Sequence, residues 1–117
     1  MKDKIPENDK NSVVYKIECN DCNSCYIGET GRQLHTRITE HKSYVRNFNA
    51  RSQIVEHVTT HGHSFNWDSA SVIDTHKHDK CRRILEACHT HTTQNTLNRA
   101  IDIPTTYVSL VHKILGN

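Results

Sequence analysis

The spacing of apolar residues along the chain changes character several times, and each change marks a structural element. Residues 12–19, SVVYKIEC, are β-branched and alternate, the period of a strand. The polar NDCNS that follows reads as a turn, and CYIGET (residues 25–30) as the returning strand of a hairpin. From there the rhythm becomes four-three: Leu34, Ile38, His41, Val45 and Phe48 share one helical stripe. Thr30 and Gln33 form a T-x-x-Q capping box, which predicts a helix starting near Gly31. A second, shorter helix fits SQIVEHVTTH and is stopped by Gly62. WDSASVIDT predicts a third strand. Asp79 then caps a third helix to about His91, with Cys81, Ile84, Leu85 and Cys88 as its stripe. Pro104 separates this from a last helix carrying Tyr107, Leu110, Val111 and Ile114. The order β-β-α-α-β-α-α implies an α+β fold, a small antiparallel three-stranded sheet flanked by helices. One domain over residues 13–117 suits this length, and the charged residues 1–12 read as a disordered arm or linker.

Composition adds a constraint. Only 34% of residues are apolar, with two Phe and one Trp, so the core is thin and gains from extra fastening. Five cysteines and ten histidines are available for it. An odd cysteine number without a signal-like N-terminal segment favours metal ligation or free thiols over a disulfide scaffold. The apolar runs are too short to cross a membrane. Net charge is +2, yet residues 31–51 hold Arg32, Arg37, Lys42, Arg46 and Arg51 against Glu40 alone. A basic stretch of this kind suits a polyanion partner, and equally a solvated helix face.

Cys19-x2-Cys22 and His57-x5-His63 fall within the spacings of structural zinc sites. The 34 residues between the two pairs exceed what a compact finger uses, so the set reads as a clip joining the hairpin turn to the end of the second helix. His61, one helical turn after His57, competes with His63, and spacing does not choose between them.

VVYKI, then YIGETGRQLHTRITEH, resembles the GIY-YIG endonuclease superfamily. Val13-Val14-Tyr15 stands where that family has Gly-Ile-Tyr, and Tyr26-Ile27-Gly28 is intact. Arg37-x3-His41, Glu86 and Asn98 follow in the family's order. The cysteine pair between the tyrosine motifs, with Glu56-His57 and Gly62-His63, resembles one branch, the endonuclease domain of Penelope-like retroelements, and in that pattern His63 is the ligand.

The resemblance implies a metal-dependent nuclease that nicks target DNA and leaves a 3′ hydroxyl to prime reverse transcription. Its catalytic residues are Tyr15, Tyr26, Arg37, His41, Glu86 and Asn98, with Glu86 holding Mg2+ (or Mn2+) and Cys19, Cys22, His57 and His63 holding a structural Zn2+. It also implies a reverse transcriptase N-terminal to the domain, element RNA as a further partner and action in the nucleus. The basic residues Arg32, Lys42, Arg46 and Arg51 are the candidate DNA contacts. A zinc-stabilised DNA-binding module without catalysis, or a zinc domain that binds protein, would use the same framework. Under those readings Glu86 pairs with Arg82 one turn back, and the tyrosines are cross-strand packing.

Overall fold

The computed structural model describes residues 9–49 and 52–97. Six elements follow in the order β1 (Val13–Cys19), β2 (Cys25–Thr30), α1 (Leu34–Arg46), α2 (Gln53–His61), β3 (Phe65–Thr75) and α3 (Asp79–Thr92). The sheet order is β2-β1-β3, with both pairings antiparallel, so β1 is central and β2 lies at an edge. This is the α+β architecture expected from the pattern. The expected last helix, with Tyr107 to Ile114, lies outside the described residues.

The alternation in β1 separates two cores rather than inside from outside. Val13, Tyr15, Ile17 and Cys19 pack with Leu34, Ile38, Ile54 and Phe65 beneath α1 and α2. Val14 turns the other way, to Ile27 and Leu85 of α3. A central strand covered on both faces is buried almost throughout, and Val13, Val14, Tyr15 and Ile17 are fully inaccessible.

β3 begins at Phe65, two residues before the expected Trp67, and three helix boundaries also differ from the sequence pattern. First, α1 begins at Leu34, not near Gly31, because Thr30 is taken up by β2, pairs with Val13 and accepts a hydrogen bond from the Arg32 N–H. The Leu34 N–H is satisfied instead by the Lys10 carbonyl. Second, α1 stops at Arg46, so Phe48 leaves the stripe and is exposed. Third, His78 rather than Asp79 is the N-cap of α3. The buried face of that helix is Arg82, Leu85, Ala87, Cys88 and Thr90, leaving Cys81 and Ile84 half-buried. The α2 boundaries agree with expectation: the Ser52 side chain accepts from the Val55 N–H, and Gly62 at φ 66° closes the C-terminus.

Candidate active site and metal clip

Tyr15 is fully buried, and Gly28 is what makes room for it. The two residues pair across the hairpin, and a β-carbon at Gly28 would sit 2.4 Å from the Tyr15 hydroxyl and 2.9 Å from the Tyr26 ring. Glycine therefore lets both tyrosines crowd one patch of backbone. From α1, His41 brings Nε2 to 2.7 Å from the Tyr15 hydroxyl. Arg37, one turn earlier, donates from Nε to the same oxygen at 3.3 Å and from Nη1 to Glu40 at 3.0 Å. The Tyr26 and His41 rings meet edge to face at 5.4 Å, and Trp67 of β3 stacks over His41 within 14° of parallel.

Burial sets the protonation of this group. It pushes the Tyr15 phenol well up, helped by Tyr26, and raises Tyr26 too, with Glu86 adding to the effect. His41 is driven down to about 3, first by burial and then by the Arg37 charge, so the ring is neutral. Arg37 stays firmly cationic: burial works against its charge, but Tyr15, Glu40 and Tyr26 outweigh it. The hydroxyl of Tyr15 thus takes a hydrogen bond from a fixed cation and shares a proton with a neutral imidazole. His41 Nδ1 is buried without a hydrogen-bond partner among the described residues. Unsatisfied buried groups of this kind are uncommon in purely structural settings.

Glu86 reaches the same place from α3. Its carboxyl is raised to about 7 by burial and by Glu29, against the pull of Arg37 and a hydrogen bond from the Glu29 backbone N–H. Arg82 does not pair with it. That buried guanidinium donates from Nε to Glu29 at 3.0 Å and from Nη1 to the carbonyls of His76 and Lys77. Arg82 and Glu86 therefore straddle Glu29, one gripping its side chain and the other its backbone. A half-buried carboxyl crowded by a second carboxylate is the kind of oxygen ligand a hard divalent ion takes.

A family model described as the GIY-YIG catalytic domain matches residues 11–99. The chain belongs to the GIY-YIG family. No curated protein and no solved structure matches it significantly. GIY-YIG domains are nuclease domains, so DNA is the substrate class this membership implies. Tyr15, Tyr26, Arg37, His41 and Glu86 converge in the GIY-YIG fold as described, while Asn98 lies outside the described residues. The chain leading to Asn98 runs beside β2, with the Leu97 N–H donating to the Cys25 carbonyl.

The second polar cluster is the clip. Cys19, Cys22, His57 and His63 offer one ligand atom each, all within 4.8 Å of one another. Cys22 Sγ is 3.5 Å from His57 Nε2, Cys19 Sγ 3.6 Å from His63 Nδ1, and the two nitrogens 3.1 Å apart. A tetrahedron built on zinc–ligand bonds of about 2.0–2.3 Å has edges of about 3.3–3.8 Å, so this set is positioned to bind a metal and is compatible with zinc. Backbone N–H groups of Asp21 and Ser24 point at the two sulfurs. The Cys22 thiol is lowered to about 7, chiefly by Ser24, while burial raises Cys19. Asp21 accepts from the Ser64 N–H at 2.8 Å and ties the cysteine turn to the histidine segment. His61 is exposed and lies outside the ligand set.

The basic residues sit differently from one another. Arg32 is tied to Glu40, Lys42 and Arg46 are exposed on one face of α1, and Arg51 lies outside the described residues. Glu29, Glu40, Arg82 and Trp67 were not signalled by the motif. The sequence offered Arg82 only as a partner one turn before Glu86. No helix among the described residues is long and apolar enough to cross a membrane.

Proposed function

We propose that this domain nicks DNA as the endonuclease of a Penelope-like retroelement, releasing a 3′ hydroxyl that primes reverse transcription. A reverse transcriptase N-terminal to the domain would use that end with element RNA as template, in the nucleus. The observation that carries the nuclease reading is the meeting of Tyr15 with Arg37 and His41 at one hydroxyl, with the Glu86 carboxyl of α3 close enough for its charge to act on both tyrosines. Support for the narrower assignment comes from the cysteine pair inserted between the tyrosine motifs and its meeting with His57 and His63.

In this mechanism Arg37 binds the scissile phosphate through its planar fork. Tyr15 takes a proton from the attacking water as its own passes along the 2.7 Å contact to His41. A bound phosphate offsets the Arg37 charge that holds His41 down, and so makes the ring a better acceptor. Tyr26 packs its ring against those of Tyr15 and His41, and Asn98 is the candidate to orient the site. Glu86 would hold Mg2+ or Mn2+, which when bound relieves charge on the phosphate oxygens and the leaving 3′ oxygen. Zinc on Cys19, Cys22, His57 and His63 fastens the hairpin to α2 and takes no part in the chemistry.

Glu86→Gln is the test. Nicking of supercoiled plasmid in Mg2+ should fall at least a hundredfold, with melting temperature and duplex affinity retained. A near-normal nicking rate would remove Glu86 from the mechanism.

A further inference from the structure

The end of α1 is built against the usual preference of the backbone. Asn47 is the C-cap, the Phe48 N–H donates to the Val45 carbonyl at 3.2 Å, and the Asn49 N–H donates to the Tyr44 carbonyl at 2.9 Å. These two bonds define a Schellman turn, whose residue after the cap must be left-handed and is ordinarily glycine. Here it is Phe48, at φ 53°. α2 also closes on a left-handed residue, and there it is Gly62, at φ 66°. The phenylalanine is not offset by packing, because 69% of it is exposed.

A lone exposed apolar residue is ordinary. An aromatic ring held out from a left-handed position that glycine fills better is not, and strain of this kind persists where a surface is used. The surroundings say for what. Lys42 and Arg46, one turn apart on α1, are both exposed. The same helix carries Arg37 and His41 into the candidate active site. From Arg37 to its last residue, Arg46, α1 rises about 14 Å, or roughly four base-pair steps of duplex at 3.4 Å each.

We infer that Phe48 is an apolar contact to the DNA substrate. Its ring lies against a base or deoxyribose face some base pairs away from the nick, while Lys42 and Arg46 hold nearby phosphates. The inference rests on the nuclease reading above and adds a contact that reads neither charge nor the scissile phosphate. Aromatic contacts of this kind tolerate sequence, because every base has a π-face.

The variants Phe48→Gly and Phe48→Trp of the 117-residue chain separate this role from a structural one. Binding to a labelled duplex, by fluorescence anisotropy, is compared with the melting temperature. Glycine should raise the melting temperature by a few degrees, because it relieves the left-handed strain. It should also weaken Kd roughly 5- to 20-fold, with the salt dependence unchanged. Tryptophan should keep the affinity, and its added emission should be quenched by DNA. Wild-type affinity in Phe48→Gly overturns the contact, and a lowered melting temperature in that variant shows that the ring packs on the protein instead. If the wild-type chain neither binds duplex nor nicks plasmid, the nuclease reading fails and this contact fails with it. If wild type does both and Phe48→Gly binds as wild type does, the contact alone is lost.

Discussion

The active-site cluster and the metal clip sit on opposite ends of the same hairpin and are held together in opposite ways. In the cluster, nearly every polar atom already has a protein partner: the Tyr15 hydroxyl has His41 and Arg37, Arg37 has Glu40, and Glu29 has Arg82. In the clip, the closest approaches are sulfur to nitrogen at 3.5 and 3.6 Å and nitrogen to nitrogen at 3.1 Å. Those contacts are weak or repulsive without an ion between them. The cluster is organised by burial, and the clip is organised by what it binds. Loss of one group should therefore harm function in the first region and folding in the second.

The largest effect is expected in the clip. Structural zinc in finger peptides is worth about 10–16 kcal/mol, comparable to the entire stability of about 5–15 kcal/mol typical of a domain. Cys22→Ser should unfold the protein, seen as lost helical circular dichroism and loss of the one zinc per chain that wild type should hold. A folded, metal-free variant would erase the contrast between the regions. Tyr15→Phe comes next. It should cut single-turnover nicking about 10²- to 10⁴-fold, while two donors or acceptors left short cost about 1–3 kcal/mol of stability.

A smaller effect should appear on acidification. His41 titrates near 3 in the fold against about 6.5 unfolded, so the unfolded chain takes up the proton first. Its contribution is full above about pH 6.5 and lost as pH falls toward 3, about 2 kcal/mol of it by pH 5. Glu86, raised to about 7, works in the opposite direction over the same window. The loss is therefore read as the difference between wild type and His41→Asn in the shift of urea midpoint from pH 7 to pH 5. The smallest effect sharpens the clip: His61→Ala should shift stability by no more than about 0.5 kcal/mol, whereas His63→Ala should behave like the cysteine variant. Equal losses at both would place His61 among the ligands.

Local signals were legible in the chain, and contacts across elements were not. Ser52 and Gly62 bracket α2 because caps act within a few residues. The cysteine and histidine pairs were visible because each pair is close in sequence. Only the resemblance selected His63, and the fold brings it, rather than His61, into the ligand set. The start of α1 was misplaced because Thr30 fits a capping box and also fits the end of β2, and pairing with Val13 claims it. Arg82 looked like the partner of Glu86 at i, i+4. It turns instead to Glu29, 53 residues away, which no helical rule reveals. Glycine within a strand marks a bulge or a close approach to the backbone, but that the group approaching Gly28 is Tyr15 depends on a cross-strand register.

The sheet also acts as a partition. Tyr15 and its partners rest on the core beneath α1 and α2, whereas Glu86 rides on a helix packed against Val14 and Ile27 on the opposite face. The two halves of the site are thus aligned like parts bolted to either side of a plate. A change in the α3 core tilts the carboxyl and leaves the tyrosines where they are, and the converse holds for the other core. Sites of this kind tolerate only about 0.5 Å of error, so substitutions far from any catalytic group can detune the enzyme while the domain stays folded. Conversely, a worn or drifting copy of this sequence can lose cleavage long before it loses its shape.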